Sequence, residues 1–146
     1  MKSKLCVSGM ASCFFLAAAS AAWAGPPVQI TFKNNSDQNA VYDPIGSSAV
    51  SYSAANPKPA EIVRGGESFV FNVTGGPSPD ITSAIFQYKI GSKICKFKTA
   101  YQKLPGRAGI PKWTKSDEPS GGARCNARIV SASAATHAWV VEFTMR

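Results

Sequence analysis

The 146-residue chain has 16 basic residues, 8 acidic residues and one histidine, and its net charge at pH 7 is +8. This length fits one domain that can bury a proper core without metals or a dense set of disulfides. The single histidine and the few, widely separated cysteines do not form a recognisable zinc motif, so a structural metal is not expected.

The N-terminal segment has the composition of a secretory signal peptide. Lys2 and Lys4 precede an apolar, alanine-rich run that ends in Ala22-Trp23-Ala24, a small-x-small motif of the kind that signal peptidase accepts. A membrane anchor is the alternative, but a spanning helix needs about 20 apolar residues and this run is shorter. We predict a cleaved signal peptide over residues 1–24, a mature chain over 25–146 without a transmembrane segment, and a periplasmic or extracellular location.

Short segments of alternating apolar residues follow the leader. The alternation begins at Val28 and Ile30, and it is clearest near the C-terminus, where Trp139, Val141 and Phe143 share one face. β-Branched and aromatic residues dominate these segments, and Gly, Pro and Asn separate them, which is typical of an all-β domain. We predict a single-domain antiparallel β-sandwich of about eight or nine short strands.

A β-hairpin is predicted around Gly91-Ser92. Glycine at the first position of a two-residue loop suits a type II′ turn, and such a loop places Ile90 opposite Lys93. Counting back from the turn, Tyr88 lies opposite Cys95, so the cysteine falls on an apolar face, because directly opposed residues point the same way. The other face is cationic and contains Lys89, Lys96 and Lys98.

Two cysteines, Cys95 and Cys125, remain after the leader. In an oxidising compartment such a pair usually forms a structural disulfide, and we predict that bridge. It would close a loop of about 30 residues and contribute about 2–4 kcal/mol. Within this loop, residues 99–122 are rich in proline, glycine and lysine. They are predicted to form a long basic loop rather than a strand.

Positive charge is concentrated between Asp80 and Asp117, a stretch that contains eight basic residues and no acidic one. Cations that lie among aromatic residues suit an anionic, partly apolar partner, such as an acidic protein surface, an anionic lipid or a glycan. Nucleic acid is not expected as a partner of an exported protein. The alternative is a solvated sheet face whose lysines maintain solubility. The candidate binding residues are Lys89, Lys96, Lys98, Tyr101, Lys103, Arg107, Lys112, Trp113 and Lys115.

Motifs for catalysis or cofactor binding do not stand out. His137, the single histidine, falls on the apolar face of the last segment, where a structural role is expected. No pair of acidic residues stands out as the acid and base of a glycosidase, and no nucleophile elbow, phosphate loop or dinucleotide motif occurs. We therefore expect a non-enzymatic binding protein without cofactor or metal, of the periplasmic inhibitor or immunity type. A secreted membrane-active, lipid-binding or pore-forming sandwich is the alternative, and the oligomeric state is left open.

Overall fold

The computed structural model describes residues 24–104 and 109–146. The predicted signal peptide, residues 1–24, lies almost entirely outside the described residues. The described part contains ten strands, a 3₁₀ turn at Gly46–Ser48 and one short helix, α1, at Ala49–Ala54. The strands are β1 Val28–Asn34, β2 Ala40–Tyr42, β3 Ala55–Asn56, β4 Ile62–Val63, β5 Ser68–Val73, β6 Ile81–Ile90, β7 Lys93–Lys103, β8 Pro111–Ser120, β9 Cys125–Ala132 and β10 Trp139–Met145.

These strands form two five-stranded sheets that pack face to face. Sheet I has the order β3-β5-β1-β10-β9, and sheet II has the order β4-β2-β6-β7-β8. Every pairing is antiparallel except that of β1 with β10, which run parallel in the middle of sheet I. The predicted all-β sandwich is therefore confirmed, with one parallel pair that the sequence pattern did not indicate.

The alternating apolar residues of both sheets form a core that is dominated by aromatic rings. Phe32 of sheet I stacks on Tyr88 of sheet II with 4.0 Å between ring centroids. Phe86 lies at the centre of the core, where it packs against rings from both sheets, including Phe71 and Phe143. Aromatic pairs at these distances add to the stabilisation that burial of their surface provides. This core joins the two sheets. Because alternate residues of each strand are buried in it, the remaining residues face outward.

The predicted hairpin is confirmed in its register. In the β6–β7 pair, Ile90 is opposite Lys93 and Tyr88 is opposite Cys95. Gly91 has a φ of +58°, and the first position of a type II′ turn requires a positive φ. The cysteine lies on the buried face, as expected. Cys95 forms the predicted disulfide with Cys125, which connects β7 of sheet II to β9 of sheet I with 5.8 Å between the Cα atoms.

The prediction of a loop over residues 99–122 is wrong. β7 continues to Lys103, and β8 pairs with it antiparallel over ten residues, Pro111–Ser120. β8 is an edge strand, and prolines are tolerated at the start of a strand or at an edge where the missing N–H is not needed. Pro111 is its first residue and Pro119 lies near its end, while Gly121 begins the turn that follows. Loop-forming residues are thus placed at the ends of β8 rather than within it.

Candidate binding surface

Strand alternation divides the predicted binding residues between two faces of sheet II. Along β7, the buried residues Cys95 and Phe97 alternate with Lys96 and Lys98, whose side chains point outward. In the adjacent strands, Lys89 is opposite Ile94, and Lys112 is opposite Gln102. Opposed residues point to the same side of a sheet. Four of the predicted residues therefore share the outward side of sheet II, which we call the lysine face: Lys89, Lys96, Lys98 and Lys112.

The predicted aromatic contacts do not lie on this face. Tyr101 is fully buried, with 0% of its surface exposed, so it cannot contact a partner directly. Trp113 is opposite Tyr101 in β8, and its half-buried ring lies 5.7 Å from the tyrosine ring between centroids. The expectation that aromatic residues and lysines form one surface is therefore wrong for Tyr101 and Trp113, because residues at odd positions of β7 face the core.

The other predicted cations lie elsewhere. Lys115 is opposite the buried Thr99, so it projects from the inner side of the edge strand β8, where it is exposed. Lys103 has the same parity as Tyr101 and is exposed near the end of β7. Arg107 lies outside the described residues. The lysine face therefore contains four of the nine predicted residues.

Acidic side chains reduce the positive charge of the lysine face. The Nζ of Lys89 lies 3.2 Å from an Asp43 carboxylate oxygen, and the Nζ of Lys96 lies 2.8 Å from Glu118. The pKa of the Asp43 carboxyl is lowered, first by the hydrogen bond that the Gln87 side chain donates and then by Lys89. Away from this face, Lys103 lies 3.9 Å from Asp80.

Two lysines of the face have no ion-pair partner among the described residues. Within residues 24–104 and 109–146, neither Lys98 nor Lys112 forms an ion pair. Lys98 is opposite Ser116 in β8, four residues from Lys112, and this spacing corresponds to about 14 Å along the strand. The separation is too large for one small anion and suits an extended partner.

An apolar cleft of about 610 Å³ borders the lysine face. Val41 of β2 is opposite Ile62 of β4 on one side and Lys89 of β6 on the other, so these two residues of the cleft lie on the same side of sheet II as Lys89. Ile62 is 56% exposed on this side of the sheet. The cleft is lined by Val41, Tyr42, Pro44, Ile45, Ser48, Ala49, Tyr52, Glu61 and Ile62.

The sequence pattern did not reveal this cleft. Its lining comes from the short β2 and β4 strands and from the segment between β2 and β3, none of which has a long alternating run. Its larger apolar and aromatic residues, such as Tyr42, Tyr52 and Ile62, lie outside the long period-two segments. Their convergence depends on the pairing of β2 with β4 and on the position of α1.

His137 lies in the turn before the last strand and is not part of that strand. β10 begins at Trp139, so His137 lies before it and not on its apolar face as predicted. The ring Nδ1 is 2.9 Å from the Tyr101 hydroxyl, and the His137 carbonyl accepts a hydrogen bond from Trp113 Nε1 at 3.1 Å. The residue has a φ of +60°, a conformation that costs free energy and persists only when neighbouring groups hold it. These contacts explain the predicted structural role of His137.

The described acidic residues act mainly as partners of basic ones. Glu142, on the outward side of β10, lies 2.7 Å from Lys33 and 3.0 Å from Arg128. The Lys33 and Arg128 cations lower the pKa of this carboxyl. In residues 24–104 and 109–146, the His, Cys, Asp and Glu side chains form no group of three or more that could hold a metal ion.

Comparisons with known proteins assign no family to this chain. None of the protein-family models matches it, and neither the curated protein sequences nor the solved structures include a significant match. In the described part of the chain, no helix has the length and apolar character needed to span a membrane.

Proposed function

We propose that this chain is an exported, non-enzymatic binding protein whose lysine face and adjoining apolar cleft dock on an acidic protein surface, as a periplasmic inhibitor or immunity-type protein would. The observation that carries the proposal is that Lys98 and Lys112, without ion-pair partners in the described chain, share one sheet face with the exposed Ile62. The Cys95–Cys125 disulfide is compatible with export.

The dimensions of this surface support a protein partner. β7 has 11 residues, which gives a length of about 37 Å, and three long strands give a width of about 14 Å. The β2–β4 edge and its cleft extend this area toward the roughly 800 Å² that each partner buries in a typical stable complex.

The cleft supplies the apolar contact that such complexes need. A few buried apolar or aromatic anchors provide most of the binding energy in protein interfaces, while charges at the rim accelerate and orient the encounter. In the proposed complex, an apolar side chain of the partner enters the cleft beside Ile62 and Tyr52. Acidic groups of the partner meet Lys98 and Lys112, and the neighbouring ion pair between Lys96 and Glu118 remains in place.

Affinity capture tests this proposal: the purified chain is used as bait for proteins in the envelope fraction of the native host. Two single charge reversals on β8 serve as the test variant and its matched control. Lys112→Glu changes the lysine face, whereas Lys115→Glu introduces the same charge on the opposite side of β8. Lys96 is not reversed, because a glutamate there would face Glu118 and disturb the sheet itself.

We expect one dominant protein that is captured by the wild-type chain and by Lys115→Glu. Lys98→Glu and Lys112→Glu should each weaken the purified complex by about tenfold or more, and high salt should weaken the wild-type complex. Ile62→Ser should also weaken it, since it removes the apolar contact. Equal affinity of Lys112→Glu and Lys115→Glu would reject the proposed face.

Membrane binding is a second candidate function, favoured by the apolar side chains on α1. Val50 is 77% exposed, and Tyr52 on the same helix is 37% exposed. Anionic lipid would attract the lysines at about 1 kcal/mol for each residue close to the surface. Sedimentation with anionic vesicles but not with neutral ones, reduced by salt, would support this function. Equal sedimentation with both vesicle types, or with neither, would reject it.

A further inference from the structure

A second basic cluster lies at one end of the sandwich, away from the lysine face. Lys93 at the start of β7 and Gly122 in the β8–β9 turn line a cleft of about 320 Å³ together with Arg124 and Arg146. None of the candidate residues predicted from the sequence belongs to this cluster, whose members are far apart along the chain. The extension of the β9–β10 pairing brings Arg124 and Arg146 together, and the β8–β9 turn lies against Ser92 and Lys93.

The two arginines form a directly opposed pair. The backbone N–H of Arg124 donates to the Arg146 carbonyl at 3.0 Å, and the N–H of Arg146 donates back at 2.8 Å. In an antiparallel pair of this kind the Cβ atoms are about 5 Å apart and the side chains leave the same side of the sheet. Two like charges in this position repel each other, and Lys93 adds a third positive charge to the same cleft.

The described residues provide no carboxylate side chain for this cluster. The cleft is lined by no acidic residue, and none of the ion pairs in residues 24–104 and 109–146 involves Lys93, Arg124 or Arg146. The nearest acidic residue on the same side of β10 is Glu142, four positions from Arg146, which is about 14 Å along a strand. Its carboxylate is already bound by other cations.

We propose that Lys93, Arg124 and Arg146 form a binding site for a phosphate or sulfate group. Guanidinium groups form paired hydrogen bonds with tetrahedral oxyanions, and a nearby lysine adds a point charge. Gly122 has a φ of +77° and no side chain, so a ligand can approach its backbone closely. No apolar side chain lines the cleft, which disfavours an apolar ligand. The site shares no residue with the lysine face and does not depend on the function proposed above.

Titration with inorganic phosphate, followed by NMR at constant ionic strength and neutral pH, tests this site. The full chain is expressed without a C-terminal tag, so that no added residues cover Arg146. We expect saturable shifts that are largest at Arg124, Arg146 and Gly122. Arg124→Gln and Arg146→Gln should each weaken phosphate binding by about tenfold, since each removes charged hydrogen bonds.

Two control variants separate specific binding from general charge. Lys115→Gln removes one positive charge elsewhere and should leave the phosphate affinity unchanged. Arg124→Lys keeps the charge but loses the planar donor pair, so it should bind phosphate more weakly than the wild-type chain. Phosphate shifts that do not saturate, or an Arg124→Gln affinity equal to that of Lys115→Gln, would overturn the proposal.

The source of the phosphate is distinguished by a vesicle experiment on the same variants. If the ligand is a lipid headgroup, the chain sediments with vesicles that contain phosphatidic acid, and Arg124→Gln abolishes this sedimentation. If it is a soluble phosphate or sulfate ester, phosphate binding saturates without such sedimentation. Sedimentation that Arg124→Gln leaves unchanged would place lipid contact elsewhere and reject a headgroup at this site.

Discussion

Removal of the Cys95–Cys125 disulfide should destabilise the protein by an amount that follows from its place in the chain. The two cysteines are 30 positions apart, and the loop-closure relation for a loop of this size gives about 12 cal/mol/K, or about 3.6 kcal/mol at 25 °C. The bridge also connects the two sheets, and Cys95 is fully buried, so the Cys95→Ala/Cys125→Ala variant loses some core packing in addition.

Urea unfolding of the wild-type chain and of this double variant measures the effect. With a slope of about 1.5 kcal/mol/M for a domain of this size, the midpoint should fall by about 2.4 M. The slope itself should rise in the variant, because the unfolded chain without the cross-link is more expanded and exposes more surface. Both cysteines are replaced together, so that no free thiol remains to form intermolecular disulfides.

A midpoint that falls by less than about 0.5 M would refute the reasoning. It would mean that the unfolded chain is already restrained between β7 and β9, or that the bridge strains the folded state. Alkylation of the native protein without reductant provides the accompanying check, because a label on Cys95 or Cys125 would show that the bridge is absent in solution.

Three further substitutions test single contacts by the same unfolding assay. Trp139→Phe removes the hydrogen bond that Nε1 donates to Thr99 Oγ1 at 2.9 Å within the core and should cost about 1–3 kcal/mol; additivity with Thr99→Val in a double-mutant cycle would show that the bond contributes nothing. The lowered pKa of Glu142 stabilises the fold above the ordinary glutamate value of about 4.3, and this contribution is lost as pH falls through the lower folded-state pKa. The stability difference between the wild-type chain and Glu142→Gln should therefore shrink in acid, and a constant difference would contradict this cause. Gly121 and Gly66 both have a positive φ, +60° and +77°, but a Cβ at Gly121 would overlap a backbone carbonyl of the β6–β7 turn, whereas a Cβ at Gly66 would enter open space. Gly121→Ala should therefore destabilise the fold far more than Gly66→Ala. Equal losses of stability would show that only the backbone conformation matters.

Local sequence patterns were sufficient where neighbouring residues determine the structure. The Gly91-Ser92 turn sets the register of β6 with β7, and that register places Cys95 on the core face, so the hairpin and the disulfide could both be predicted. Alternation of period two likewise predicted the buried side of β1 and β10. In each case the pairing of two neighbouring strands, or the alternation within one strand, is enough to determine which residues are buried.

The candidate surfaces could be predicted only in part. Alternation alone could have shown that Tyr101 faces the core, had residues 99–122 been recognised as strand. The apolar cleft required the pairing of β2 with β4 and the position of α1, which no short-range pattern specifies. The same holds for the basic cluster of Lys93, Arg124 and Arg146.

The sequence by itself determined the fold class, the hairpin, the disulfide and the basic character of the chain, because periodicity, turn chemistry and composition act locally. The tertiary structure decided that β8 is an edge strand, since hydrogen bonds from β7 compensate for a proline-rich composition that disfavours strands. It also decided which cations remain free. An ion pair depends on strands that are distant in the sequence and adjacent in the sheet, as Lys89 and Asp43 are, and so charge along the chain does not translate directly into charge on a surface.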